Sequence, residues 1–308
     1  MVDKLYDVII IGGGPGGYTA ALYAVRSGLD ALVLEAFAAG GQLGQTHWID
    51  NYPGFPDGID GFSLAQRFQA QAHRFGVQTR YEQVLSVDLK ATPKKVTTGK
   101  GTYLGKTVIL ATGAKPRPLG LPEEQRFIGK GVGYCAACDG MFYKGKTVAV
   151  VGGGNTAVGD ALLLSRVAEK VILIQRRDVL KATKVYHKAL LEAPNVQIRW
   201  DSTVTKLHGE EKLSGITVKN QKSGQEETLS CQGLFVSVGR LPNSALVQDQ
   251  LILEDGYIPT DALNQTQISG VFAVGDVRTT PLRQVVTAVA DGALAVHGAE
   301  NYLGRENN

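Results

Sequence analysis

One local pattern occurs twice in this chain, and it dictates the class of fold. Asp7-Val8-Ile9-Ile10-Ile11 is an apolar, β-branched run, the mark of a strand buried on both faces. It enters Gly12-Gly13-Gly14-Pro15-Gly16-Gly17, a G-x-G-x-x-G turn, and Tyr18–Ser27 then reads as a helix stopped by Gly28. The next strand, Ala31–Glu35, ends in an acid 18 residues after Gly17. Thr147–Val151 repeats the strand, Gly152-Gly153-Gly154-Asn155-Thr156-Ala157 the turn and Val158–Val167 the helix. Val171–Gln175 repeats the second strand, and Gln175 again lies 18 residues after the last turn residue. In each unit the glycines let backbone approach a pyrophosphate held at a helix N-terminus. Two such units predict an α/β protein with two dinucleotide-binding, Rossmann-like domains, one inserted into the other.

The residue ending the second strand distinguishes the two sites. Glu35 is placed to accept a hydrogen bond from a ribose 2′-hydroxyl, so Gly12, Gly14, Pro15, Gly17 and Glu35 are expected to bind FAD or NAD. In the second unit that slot holds neutral Gln175, followed by Arg176, Arg177 and, beyond them, Lys181. A carboxylate would repel a 2′-phosphate, whereas guanidinium groups hold one by charge-assisted bonds. Gly152, Gly154, Asn155, Thr156, Arg176, Arg177 and Lys181 are therefore expected to bind NADP(H). Two sites imply two carriers, a tightly held flavin and a diffusing nicotinamide.

Between the units lies Cys135-Ala136-Ala137-Cys138-Asp139, which holds two of the three cysteines. A zinc site needs four ligands, but only Cys231 remains, and His47, His73, His187, His208 and His297 are scattered singly. A structural disulfide closing so small a ring does not suit a reducing compartment. The C-x-x-C is read as redox-active, at a helix start that favours the thiolate, with Asp139 moving the exchange proton. Cys231 is expected to be a small buried residue in a strand-like run.

Composition narrows the partners. A net charge of +3 gives no basis for nucleic-acid or membrane-surface binding. The uncharged run from Val8 to Val25 is interrupted by the glycine turn and is not expected to span a membrane, so a cytoplasmic location is expected. Lys106–Gly113 reads as a further buried strand, and Pro116, Pro118 and Pro122 as a crossing linker. The alternation from about 196 to 232 suggests an antiparallel meander turning at Lys222–Gln225. Gly233–Gly239 and Val271–Asp276 read as strands, and Gln284–Leu303 as a long helix.

Gly12–Gly17, Gly41-Gln42-Leu43, Asn51-Tyr52-Pro53-Gly54, Ala111-Thr112-Gly113, the cysteine motif and Val274-Gly275-Asp276-Val277 together resemble the low-molecular-weight thioredoxin reductases, in order along nearly the whole chain. The resemblance implies an FAD domain of residues 1–115 and 245–308 and an inserted NADPH domain, 116–244, carrying the cysteines. It implies a homodimer with a thioredoxin-like partner. Electrons would pass from NADPH through FAD to a Cys135–Cys138 disulfide and on to the partner, with Cys138 facing the flavin and Cys135 attacking the partner. It assigns Gln42, Asn51, Thr112, Gly113, Gly275, Asp276, Arg283 and Gln284 to the flavin. The chain departs from the family at Gln175 (usually His), Lys181 (usually Arg), Gly159 (usually acidic) and Arg240 (often His). These changes motivate an alternative donor such as ferredoxin. A flavin dithiol oxidase and a non-catalytic redox sensor are the other readings.

Overall fold

The computed structural model describes residues 4–46, 49 and 51–306. It contains two compact units, one of Met1–Lys115 with Leu241–Asn308, the other of Pro116–Arg240.

In the first unit β1 (Leu5–Ile11) passes through the glycine turn into α1 (Pro15–Arg26) and returns as β2 (Ala31–Glu35). Helix α1 begins three residues before the predicted Tyr18, because Pro15 at its first turn has the φ a helix start needs. After α2 (Gly61–Arg74), whose Asp60 side chain caps Ser63 N–H, come β3 (Gln78–Tyr81), β4 (Val84–Asp88), β5 (Lys94–Thr98) and β6 (Gly101–Leu110). The sheet order is β3-β2-β1-β6-β5-β4. Strand β6, longer than the Lys106 start expected for it, first serves two partners: Gly101–Gly105 pairs antiparallel with β5, while Leu104–Leu110 runs parallel to β1, and its C-terminal half takes a third on the side that β5 leaves. Alternate residues of β1 enter different cores. Val8 and Ile10 pack with Ala20, Ala24, Ala295 and Ala299, whereas Ile9 and Ile11 pack with Val96, Leu251 and Ile258. Burial on both faces accounts for the unbroken apolar run.

The chain leaves by β7 (Ala114–Pro116), and the second unit begins with α3 (Glu124–Phe127), β8 (Val132–Gly133) and α4 (Ala136–Asp139). Strand β9 (Thr147–Val151) then leads through the second glycine turn to α5 (Asn155–Ser165), β10 (Lys170–Ile174), α6 (Lys184–Glu192) and β11 (Val196–Arg199). Three strands follow, β12 (Ser202–His208), β13 (Gly215–Asn220) and β14 (Glu226–Ser230), and then β15 (Gly233–Val236). The parallel sheet has the order β11-β10-β9-β15-β8, and β12-β13-β14 forms a separate antiparallel meander. The expected meander therefore starts later than 196: Val196–Arg199 is a parallel edge strand against β10. Four residues alternating beside an apolar neighbour do not reveal which partner they choose. The meander covers one sheet face, its Ile216, Val218 and Leu229 packing on Ala149 and Ile172; Val158, Ala161 and Leu164 of α5 cover the other. Cys231 is buried but lies between β14 and β15 rather than in a strand.

The return runs through β16 (Arg240–Pro242), which pairs with β7, to β17 (Val271–Ala273) and α7 (Val285–Glu306). Strand β17 adds to β6 in parallel, from Val271 against Val108 to Ala273 against Leu110. No helix among the described residues is long and apolar enough to cross a membrane.

The turn geometry makes Gly17 a sharp test of this fold, since a Cβ there would drive into the Gly12 carbonyl. Gly17→Ala is expected to cost at least about 2 kcal/mol. Gly14→Ala, with no atom within 4 Å of the added carbon, is expected to cost under about 1 kcal/mol. Urea unfolding followed by far-UV circular dichroism distinguishes the two.

Candidate functional site

Both glycine turns are built alike. Gly12 has φ of 109° and Gly152 φ of 139°, and a Cβ at either would collide with backbone, at Ala111 in the first turn and Ser237 in the second. Strand, turn and a neighbouring strand end thus meet at van der Waals distance. Ala157 occupies the position of Gly17 and is wholly buried. Gly14 and Gly154 are the N-caps of α1 and α5, extended and facing open space. An open cap backed by unpaired helix N–H groups is where a phosphate sits.

The ends of β2 and β10 occupy equivalent places over the middle glycine. Glu35 Oε2 accepts from Gly13 N–H at 2.6 Å, and Oε1 from Phe37 N–H at 3.1 Å. Gln175, also buried, closes its own loop instead: Nε2 donates to Val179 O at 2.6 Å, and Oε1 accepts from Arg176 N–H at 3.0 Å. That loop is tied to the glycine turn, because Lys181 N–H and Ala182 N–H both donate to Gly153 O, at 2.7 and 3.0 Å. Asn155 Oδ1 accepts from Thr183 N–H at 2.8 Å. The side chain of Asn155, expected on a nucleotide, is thus engaged with the loop that presents Arg176, Arg177 and Lys181 to solvent. Thr156 is exposed on the first turn of α5.

The other residues expected around a flavin come from distant parts of the first unit. Asn51 Nδ2 donates to Gln284 Oε1 at 2.8 Å, joining two candidates 233 positions apart. Gln42 donates to Ala114 O. Thr112 Oγ1 donates to Asn243 O at 2.8 Å, Asn243 Nδ2 returns a bond to Thr112 O at 2.9 Å, and Gly113 O accepts from Asn243 N–H. Gly275, with φ of 71°, opens the turn that carries Asp276, and its N–H donates to Asp291 Oδ2 at 3.0 Å. Asp291 also pairs with Arg278 at 2.9 Å, an ion pair well removed from solvent. Asn243, Arg278 and Asp291 escaped the sequence reading; each acts through a neighbour in space, and no local spacing marks them.

Arg283 supplies the test of fit for a bound group. Its guanidinium carbon stands 4.1 Å from the Tyr257 ring centre, and its Nε is buried without a hydrogen-bond partner among the described residues. A buried charged donor left unpaired is costly. With the open cap at Gly14 and the carboxylate of Glu35, the residues present fit an anionic dinucleotide such as FAD.

In the second unit Cys135 precedes the single turn of α4, is half-buried and is disulfide-bonded. Cys138 lies on that turn, its side chain outside the described residues. Asp139 is the last residue of the turn rather than its cap, and its N–H donates to Cys135 O at 3.2 Å. Its carboxylate lies over Gly133, where a Cβ would come within 3.1 Å of Oδ2. Cys231 is free and fully buried, and desolvation pushes its thiol up to about 12, which leaves it inert. No group of residues suited to a metal ion occurs among the described residues.

The family profile for pyridine nucleotide-disulphide oxidoreductases matches residues 6–292. The chain is 43% identical to a thioredoxin reductase of Treponema pallidum over 298 residues, covering 97% of each. It is 45% identical to a thioredoxin reductase of Streptomyces clavuligerus, covering 98% of this chain and 95% of that one. The chain belongs to the thioredoxin reductase family of pyridine nucleotide-disulphide oxidoreductases. The crystal structure of Lactococcus lactis thioredoxin reductase superposes with a TM-score of 0.85 at 37% identity, covering 97% of this chain and 99% of that one. This family member is an FAD-containing disulfide oxidoreductase with two Rossmann-type folds, as its repeated turns require.

Asp160, on α5, supplies a pH test. Burial raises its carboxyl from 3.8 to about 6, against the opposing effects of a hydrogen bond from Ser237 Oγ and the charge of Arg240. Between these two values the folded protein holds the proton more tightly than the unfolded chain, so stability falls as pH rises through the window. Asp160→Asn removes that loss. Its stability relative to wild type is expected to rise by on the order of 2 kcal/mol between pH 4 and pH 7, read from urea midpoints at each pH. A parallel course for the two proteins would refute the ionisation. For the flavin, Gly14→Ala is expected to retain the fold and lose at least tenfold in FAD affinity, measured by fluorescence titration of the apoprotein.

Proposed function

We propose that this enzyme reduces the disulfide of a thioredoxin-like protein with electrons from NADPH, through FAD and the Cys135–Cys138 pair. The observation that carries this reading is a C-x-x-C cysteine held in disulfide form in the unit that also contains the second dinucleotide turn. FAD belongs to the first unit, where Gly12, Gly14, Pro15, Gly17 and Glu35 cradle one end of it. Gln42, Asn51, Thr112, Gly113, Gly275, Asp276, Arg283 and Gln284 serve the remainder. NADPH belongs to the second unit: Gly152, Gly154, Asn155 and Thr156 form the turn, and Arg176, Arg177 and Lys181 hold the 2′-phosphate.

When bound, the flavin supplies the two-electron relay between nicotinamide and disulfide. The chain's own residues orient that transfer and handle the thiols. Cys135, half-buried, is the sulfur offered to the partner, and Cys138 completes the pair on the flavin side. Asp139 carries a proton beside them, held by the Cys135–Asp139 backbone bond. The sequence departures at Gln175 and Lys181 do not favour ferredoxin or oxygen in place of NADPH. Gln175 is spent on shaping its loop, and the loop still presents three cationic side chains. A homodimer working in the cytoplasm completes the proposal, on the pattern of the family.

Cys138→Ser is expected to keep FAD and lose at least a thousandfold in NADPH-dependent reduction of a thioredoxin disulfide, assayed with dithionitrobenzoate. Retained turnover would remove the pair from the mechanism. Replacing Arg176 and Arg177 together by Ala is expected to cut the kcat/KM preference for NADPH over NADH at least tenfold, since each charged hydrogen bond contributes about 1.5–3 kcal/mol. Anaerobic stopped-flow bleaching of the flavin with each nucleotide measures the same preference directly.

A further inference from the structure

A carboxylate that the proposed electron route does not use is buried at the start of α3. Glu124 is 2% exposed, yet three donors converge on it. Leu119 N–H and the Tyr134 hydroxyl donate to Oε1, at 2.9 and 2.7 Å, and Gly120 N–H donates to Oε2 at 2.8 Å. Such convergence compensates the desolvation of a charge. Two donors belong to the segment by which the chain enters the second unit, and the third belongs to the residue directly before Cys135. Leu119, Leu121 and Tyr134 pack against the same core as Phe127 and Val132, so the anchor stands on a fixed base. Burial first, and then the adjacent carboxylate, hold the Tyr134 phenol above its ordinary range, so it remains a donor throughout neutral pH.

We propose that Glu124 and Tyr134 are positioning residues for the dithiol, holding the loop so that the two thiols stay preorganised for closure whenever the disulfide is open. The inference rests on the redox reading of Cys135 and Cys138. In the oxidised form the S–S bond itself restrains Cys135. In the reduced form that restraint is gone, and the Tyr134–Glu124 bond is the anchor immediately before the thiol. Closure converts two thiols to a disulfide, and two electrons and two protons pass to the partner's disulfide, which opens to a dithiol. An anchored loop raises the effective concentration of one thiol at the other and so favours closure. Without the anchor the dithiol is a weaker reductant, and its potential moves upward.

The test uses the full-length holoenzyme. Tyr134→Phe removes one hydroxyl and leaves Glu124 with its two backbone donors; Glu124→Gln with its oxygen toward Tyr134 keeps that acceptor in weakened form, but sets its amide N–H₂ against Gly120 N–H and loses that bond. Tyr103→Phe is the matched control, because Tyr103 donates to the buried Glu82 in the other unit at 2.9 Å. Each protein is equilibrated in dithiothreitol redox buffers, and the pair is scored by alkylation and mass shift. Tyr134→Phe is expected to shift the equilibrium three- to tenfold toward dithiol, the upper figure being about 30 mV. Glu124→Gln should fall between it and wild type, and Tyr103→Phe should match wild type. Flavin bleaching by NADPH should be unchanged in all of them while thioredoxin reduction slows in the first two. A Tyr134→Phe pair that titrates as wild type does overturns the proposal and leaves the redox reading intact. A wild-type pair that does not titrate at all overturns both.

Discussion

The close approach of a strand end to a helix start is the constraint on which both units depend. At Gly12 and Gly17 in the first turn, and Gly152 in the second, a single added carbon would occupy space already filled by backbone. Only with these positions bare does the helix N-terminus come level with the end of a buried parallel strand, its unpaired N–H groups facing outward at Gly14 and Gly154. The remaining architecture serves that approach. Strand β6 fixes Ala111 beside the first turn, and β15 leads to Ser237 beside the second. The cores on both sheet faces hold these strands in register.

Given the same backbone device twice, the two turns differ in the residue at or just after the end of the second strand, Glu35 in one and Gln175 in the other. Glu35 places a carboxylate beside Gly13, which favours a neutral ribose hydroxyl and disfavours a phosphate. Gln175 removes that charge and uses its amide to brace a loop carrying cations at its surface. One exchange of acid for amide thus changes what lies over the middle glycine of each turn, from a carboxylate at Gly13 to a neutral amide at Gly153. Backbone bonds from Lys181 and Ala182 to Gly153 keep the cationic loop joined to the turn that it serves.

Cysteine chemistry is divided just as sharply. Cys231 is enclosed by the core, and its thiol is held above any physiological range. Cys135 stands half-buried at a one-turn helix, in disulfide form, with a backbone bond to Asp139 on one side and the Tyr134–Glu124 anchor on the other. Burial, not residue type, separates the free, inert thiol of Cys231 from the half-buried, disulfide-bonded Cys135.

The amino-acid sequence by itself determined everything that depends on neighbours along the chain. The repeated glycine turns, the strands running into them, the Glu35/Gln175 contrast and the C-x-x-C spacing are local, because three to eighteen residues suffice to express each of them. Tertiary structure alone decided the partners that meet across long separations. Asn51 meets Gln284 and Thr112 is bracketed by Asn243, while even the shorter-range bonds of Asp291 to Gly275 and of Glu124 to Leu119, Gly120 and Tyr134 depend on how the chain folds back and not on any spacing. It also decided that Val196–Arg199 pairs with β10 rather than with the meander. The physical reason is the same throughout: a hydrogen bond or a strand register is chosen by what lies opposite in space, and that is known only once the two glycine turns have folded the chain around them.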